Sequence, residues 1–342
     1  MSKRKLNRRQ TWRIEKIQRE RLARACKREE NIDGNSSLGS EQEGLVIAHF
    51  GTQVEVEPKE QPGQHRRCHF RANLGSLVTG DRVVWRDGDP TGVVVAVEER
   101  DSELSRPDPH GDMKTIAANI DRILIVVASV PKPHTQLVDR YLVAAESLNI
   151  KPSLIINKID LVEAGNQSVI EKFIKPYQSL GYEVITVSAR EEKGLLELAA
   201  LVKEHTNIFV GQSGVGKTSL INKLIPDLNL QIGELSQSSQ KGTHTTTTAQ
   251  LFHFPQGGRL IDSPGIREFG LWHMTPEEIL HGFVEFSPFA GRCKFRNCRH
   301  EQEPNCAILH AHRDGHISDH RFSSYLALRE QSESAEASRK PQ

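Results

Sequence analysis

With 342 residues and 37% hydrophobic content, the chain is long enough for two or three folding units and apolar enough to give them cores, which excludes global disorder. The longest strongly apolar run, Ile123 to Val127, is too short to cross a bilayer, and no apolar segment follows the basic N-terminus as in a secretory signal, so a soluble cytoplasmic protein is expected. An odd total of five cysteines (Cys26, Cys68, Cys293, Cys298 and Cys306) argues against a secreted disulfide framework.

The overall charge of +1 hides an asymmetry. Residues 1–28 hold twelve Lys/Arg against Glu15 and Glu20, leaving about −9 for the rest. A basic arm on a near-neutral body suits a polyanion, because neutralised phosphates release counterions. Read blandly, the arm is a solvated tail. Residues 1–40 are taken as this arm and a Gly/Ser/Asn linker.

Over residues 41–105 short β-type runs alternate with polar breaks: Leu45–Phe50, Gln53–Glu57, Arg67–Ala72, Arg82–Arg86 and Gly92–Val97. Five short strands in so small a span suit an OB-fold β-barrel. Phe50, Phe70 and Trp85 lie among Arg66, Arg67, Arg71, Arg82 and Arg86, a mixture that either stacks bases and holds phosphates or fills the barrel. Residues 101–117, with Pro107 and Pro109, read as a linker.

Strands and helices then alternate over residues 112–270, the pattern of a parallel sheet covered on both faces. The expected strands are Arg122–Val130, Ser153–Asn157, Glu183–Val187, Asn207–Val210, Gln250–His253 and Arg259–Asp262. Helices are expected at Thr135–Leu148, Gly194–Glu204 and Lys217–Leu224. Residues 271–330 read as a helical, His-rich module around a Cys cluster, and residues 331–342 as a disordered tail.

The strongest motif is Gly211-Gln212-Ser213-Gly214-Val215-Gly216-Lys217-Thr218, a phosphate-binding loop between a strand and a helix, with Ser219 following. Its glycines let backbone N–H groups curl around phosphate oxygens. Lys217 is placed for the β- and γ-phosphates and Thr218 for Mg²⁺. Asn157-Lys158-Ile159-Asp160 matches N-K-x-D, whose carboxylate accepts from N1–H and the 2-amino group of guanine, donors that adenine lacks. Ser188-Ala189-Arg190 at the end of the next strand adds backbone N–H support for the guanine O6, so GTP is favoured over ATP.

Asp262-Ser263-Pro264-Gly265 fits D-x-x-G, with Asp262 holding Mg²⁺ through water and the Gly265 N–H meeting the γ-phosphate. A switch loop needs one Thr for Mg²⁺ in the preceding interval. Thr246 is chosen from the run Thr245–Thr248, which by itself leaves the choice open. Ile266 stands where a water-orienting Gln is common. His244 is the nearest group able to orient or deprotonate water, although a polar-loop His is often only solvated. The motif order is circularly permuted, because N-K-x-D and S-A-x precede the phosphate loop.

Cys293, Cys298, His300 and Cys306 supply three thiolates and an imidazole, the donor set of a closed structural Zn²⁺ site, with His310 and His312 as reserve ligands. Arg292, Lys294, Arg296 and Arg299 make the surrounding knuckle basic enough for phosphate contact.

In this permuted order, and with G-x-H-T-T-T at Gly242–Thr247, D-S-P-G-I-R-E-F-G at Asp262–Gly270 and C-K-F-R-x-C-x-H at Cys293–His300, residues 40–328 resemble the RsgA (YjeQ) family of GTPases. The resemblance implies an OB-fold, a circularly permuted P-loop GTPase domain and a helical zinc-binding domain. It also implies GTP hydrolysis with Mg²⁺, stimulated by the small (30S) ribosomal subunit late in its maturation, and contact with 16S-type rRNA. Roles for His244 and Thr246 in the switch follow from the same resemblance. The arm is longer than the resemblance leads one to expect. A monomer off the membrane is expected. Two alternatives are a nucleotide-gated RNA chaperone with incidental turnover and a permuted GTPase serving the large subunit.

Overall fold

The computed structural model describes residues 38–70, 74–108, 112–162, 167–228, 249–262 and 274–339. These form two compact units: one holds the described residues up to Leu77 together with Asp81–Glu99, the other Val78–Gly80 and the chain from Arg100 onward.

The first unit is a five-stranded barrel made of β1 (Leu38–Phe50), β2 (Gln53–Pro58), β3 (Arg66–Phe70), β4 (Arg82–Gly88) and β5 (Gly92–Val97). The sequence order reflects the pairing: β1 pairs antiparallel with both β2 and β4, and β3 runs parallel to β5, closing the ring β1-β2-β3-β5-β4. Closure removes exposed sheet edges, as in an OB-fold. Alternate residues such as Val54, Val56, Val83 and Trp85 turn inward to make the core. Gly44 is needed here, since a Cβ would lie 2.5 Å from Val56 Cγ1 and 2.8 Å from the Trp85 indole.

The aromatic residues differ in exposure. Trp85 is core, at 1% exposure, whereas Phe50 is 39% exposed with the Arg67 guanidinium 5.3 Å from its ring centroid. Among the arginines Arg66 faces Asp87, Arg82 faces Glu98 and Arg86 faces Glu41, so part of their charge is neutralised within the barrel. Arg71 lies outside the described residues. Strand β1 starts at Leu38, inside the stretch read as linker, because Leu38 pairs with Gly88 of β4.

The second unit opens with a correction. The stretch read as a linker holds two paired strands, β6 (Glu103–Pro107) antiparallel to β7 (Met113–Ala118). Pro107 closes β6 at an end position, where a missing N–H is tolerated.

The central sheet follows: β8 (Arg122–Ala128), β9 (Lys151–Asn157), β10 (Glu183–Thr186), β11 (Thr206–Val210), β12 (Gln250–His253) and β13 (Arg259–Asp262). Its order is β10-β9-β8-β11-β13-β12, parallel throughout except for β12. Ile123 to Ala128 are all buried, the continuous apolar run required of a parallel strand covered on both faces. Helices α1 (Thr135–Ser147), α2 (Gln167–Ser179), α3 (Leu195–Val202) and α4 (Lys217–Leu224) connect the strands. Helix α2 was not anticipated from the sequence, and it carries Pro176 inside it, a residue that ordinarily argues against a helix.

Beyond the sheet lie α5 (Pro276–Gly282), α6 (Ala307–Arg313) and α7 (Asp319–Arg339). A capping box starts α5: Thr275 Oγ1 accepts from Glu278 N, and the Glu278 carboxylate accepts from Thr275 N. The expected disordered tail from 331 is corrected, since α7 continues to Arg339. Ser332 donates to the Met274 carbonyl and Glu333 pairs with Arg299 and Arg329, which ties that end of the helix to earlier parts of the chain.

Candidate active site and metal cluster

In a parallel sheet every strand delivers its C-terminal end to the same edge, where loops build sites. Asn157 ends β9, Ser188 follows β10, Gly211 follows β11 and Asp262 ends β13, so four motifs scattered from 157 to 262 meet along one edge.

Their side chains interlock. Asn157, 1% exposed, donates from Nδ2 to the Val215 carbonyl (2.9 Å) and accepts from the Ala189 N–H (3.4 Å). Lys158, in the left-handed region at φ 60°, donates from Nζ to the carbonyls of Gly214 (2.7 Å) and Val130 (2.9 Å). The positive φ turns the chain sharply into the short 3₁₀ turn Ile159–Leu161, which presents Asp160. Ser188 Oγ donates to Asp160 Oδ1 at 2.6 Å and accepts from the Glu191 N–H at 3.0 Å, so the carboxylate is held in place.

The loop Gly211–Gly216 wraps Lys217, whose Nζ donates to the carbonyls of Gly211 (2.8 Å) and Gln212 (2.9 Å). Gly216 has φ 93°, and a Cβ there would come 2.4 Å from Asn157 Nδ2, so glycine is what lets the phosphate loop and the N-K-x-D strand touch. Ser213 lies in the same loop, and Thr218, 7% exposed, and Ser219 open α4 behind it.

A cleft of about 750 Å³ opens beside these groups, within the range of small-molecule sites. Asn157, Lys158, Asp160, Ala189, Gly216 and Ser219 line it, all drawn from the motifs. Arg190, the third residue of the S-A-x element, lines it too, and Leu161, Glu192, Asn222, Lys223 and Pro226 do so without having been anticipated from the sequence. Helical spacing offered one signal: Asn222 and Lys223 stand three and four residues beyond Ser219, on the same face of α4. Lys223 Nζ pairs with Glu192 Oε1 at 2.7 Å across the cleft wall. His244, Thr246 and Gly265, together with Ile266, lie outside the described residues.

The second cluster gathers Cys293, Cys298, His300 and Cys306, whose donor atoms all lie within 4.8 Å of one another. Cys293 Sγ is 3.7 Å from Cys306 Sγ and 3.5 Å from His300 Nδ1, which is 3.3 Å from Cys306 Sγ. Metal–sulfur bonds of 2.3 Å at tetrahedral angles put two sulfurs roughly 3.8 Å apart, so the spacing fits one small cation. Burial pushes the Cys306 thiol up to about 12, a state that a bound cation reverses because it binds thiolates. His310 is exposed, and His312 is engaged elsewhere, 2.8 Å from Asp319 and stacked on Phe322, so neither reserve ligand joins the cluster.

The RsgA GTPase family model matches residues 97–272. The small ribosomal subunit biogenesis GTPase RsgA of Ectopseudomonas mendocina (strain ymp) is 55% identical over 95% of this chain and 96% of its own length. The chain belongs to the RsgA GTPase family. Its counterpart of the same name in Azotobacter vinelandii (strain DJ / ATCC BAA-1303) is 56% identical over the same shares. Among solved structures, YjeQ from Thermotoga maritima superposes with a TM-score of 0.72 at 30% identity, covering 86% of this chain and 99% of its own. YloQ, a circularly permuted GTPase, gives 0.68 at 27% identity, covering 91% and 99%.

Membership in the RsgA GTPase family makes the chain a GTPase of permuted motif order. In the RsgA arrangement seen here, the strands of an ordinary nucleotide-binding sheet are kept and only the chain break has moved. The motifs therefore meet although their order is changed. Among the described residues no helix is long and apolar enough to cross a membrane.

Proposed function

We propose that this chain binds GTP with Mg²⁺ along the sheet edge and hydrolyses it to GDP and phosphate during maturation of the small ribosomal subunit, which stimulates the reaction. The observation that carries the reading is Asp160, pinned by Ser188 at 2.6 Å and facing the cleft that Gly216 and Ser219 also line. An oriented carboxylate at one end and a phosphate loop at the other match guanine and triphosphate. Asn157 and Lys158 join the two ends through Val215 and Gly214, so base recognition and phosphate binding share one scaffold.

In this reading Asp160 accepts from guanine N1–H and the 2-amino group, while Ala189 N–H supports O6. Backbone N–H groups of Gly211–Lys217 cradle the phosphates, and Lys217 exchanges its two loop carbonyls for β- and γ-oxygens. Thr218, Thr246 and Asp262 would hold Mg²⁺, which neutralises charge on the phosphates. Gly265 N–H meets the γ-phosphate, and His244 orients or deprotonates the attacking water. Catalysis is mostly positioning and electrostatics, so a partner that orders the switch around the γ-phosphate accelerates it.

Cys293, Cys298, His300 and Cys306 would hold Zn²⁺ in a structural role, since three thiolates and an imidazole satisfy its usual four-donor requirement. Ribosomal RNA is the surface partner: exposed Arg292, Lys294 and Arg296 flank Phe295, itself 42% exposed, and on the barrel Phe50 carries Arg67. The protein acts in the cytoplasm as a monomer.

The test is GTP turnover with purified small subunits, large subunits and bare RNA. Small subunits are expected to raise the rate at least tenfold, with large subunits and RNA near the basal value. Stimulation by large subunits alone would sink the partner assignment.

A further inference from the structure

From Val138 to Ala145 every residue of α1 except Arg140 is buried, so this helix is covered on more than one side. Two side chains on it make polar contacts in different directions. Tyr141, 3% exposed, accepts at its hydroxyl oxygen a hydrogen bond from the backbone N–H of Gly211, the first residue of the phosphate loop. Asp139, fully buried, meets the C-terminal helices. Its Oδ1 accepts from Arg321 at 2.7 Å and from the Tyr177 hydroxyl at 3.1 Å, and its Oδ2 lies 3.4 Å from His320.

Arg321 is locked in turn by the Glu285 carboxylate, at 2.6 and 3.1 Å, and lies 4.3 Å over the Phe283 ring. Burial alone would raise the Asp139 carboxyl, but hydrogen bonding from His320 and the charge of Arg321 outweigh it and hold it below the usual carboxylate value. Residues two apart on a helix point about 200° from one another. One stiff element is therefore held by the C-terminal module on one side and holds the phosphate loop on the other. Along the same helix Gly282 of α5 sits so close to Val143 that a Cβ would lie 2.6 Å from Val143 Cγ1, and Arg140 donates to Gln331 of α7.

We propose that α1 is a strut through which the metal-bearing module sets the phosphate loop, with Tyr141 as the positioning residue for Gly211 and Asp139–Arg321 as the joint. A buried charged network costs desolvation, and breaking one member leaves its partner uncompensated, so the joint has one well-defined geometry. The inference rests on the reading of Gly211–Thr218 as the phosphate loop.

Three single variants of the full-length, metal-loaded protein test it, each read by GDP affinity, GTPase KM and kcat, metal content and melting temperature. Tyr141→Phe removes one hydroxyl and is expected to weaken GDP binding and raise KM about 3- to 10-fold with kcat little changed, the size of one hydrogen bond. Asp139→Asn should move affinity the same way while the metal stays bound. The double variant should lose less than the product of the two, because both act through one element. Glu285→Gln replaces Asp139→Asn if the latter fails to fold. Unchanged affinity in Tyr141→Phe overturns the positioning role, whatever its melting temperature. Unchanged affinity in a folded Asp139→Asn or Glu285→Gln, or effects that multiply in the double variant, overturns the strut. Lys217→Ala run alongside separates the cases: if it binds GTP and turns it over normally, the phosphate-loop reading has failed rather than the strut.

Discussion

The nucleotide edge and the metal cluster are assembled in opposite ways. Four strand ends between residues 157 and 262 converge on the edge, where Asn157 is braced by Val215, Lys158 by Gly214 and Asp160 by Ser188, all distant in sequence. The metal cluster takes all its donors from residues 293–306 and braces them locally, with Cys306 capping α6 by accepting from the Leu309 N–H at 3.5 Å and Arg299 N–H donating to Glu303 at 2.6 Å. The two arrangements draw stability from different sources. The edge rests on a sheet with a large apolar core, whereas a short polar loop has little core of its own and would depend on a cation.

That contrast can be broken experimentally. The largest effect is expected from stripping the metal, or from Cys306→Ser. Structural zinc is worth on the order of 10 kcal/mol in small metal modules, so residues 293–313 should lose protection in hydrogen exchange while the central sheet keeps it. Equal loss in β8 and β11 would mean that the two regions are one cooperative unit.

Next in size, Lys217→Ala should cut GTP turnover about 100-fold or more, the scale of one electrostatic donor at a developing charge, with metal content unchanged. A concurrent loss of metal would show that the edge is not independent.

The smallest effect sharpens the edge itself. Asp160→Asn should weaken GTP by about 2 kcal/mol, since it replaces charged hydrogen bonds, and should erase most of the preference over ATP in competition binding. Ser188→Ala, which only frees the Asp160 carboxylate, should cost a few-fold. A larger loss from Ser188→Ala than from Asp160→Asn would mean that the hydroxyl, rather than the carboxylate, reads the base.

Much of this was legible in the amino-acid order because the chemistry is local. A phosphate loop needs its glycines and Lys217 in one stretch, N-K-x-D is contiguous, and four metal donors in fourteen residues leave few other readings. Short β-type runs between polar breaks marked the barrel strands, and strands alternating with helices marked the parallel sheet. The paired strands β6 and β7 were hidden behind Pro107 and Pro109, and helix Gln167–Ser179 carries Pro176 within it. The polar composition after residue 330 concealed the last turns of α7, where Ser332 and Glu333 contact distant residues.

The nucleotide class, the permuted motif order and the Cys/His cluster are written in residue types at short spacing. Which residues share the cleft, that Trp85 is core while Phe50 meets solvent, and that Asp139 and Arg321, 182 positions apart, form one buried pair emerge from folding. Short-range spacing is set by bond geometry and can be read along the chain. Long-range pairing is chosen by how apolar faces pack, and no stretch of sequence carries that alone.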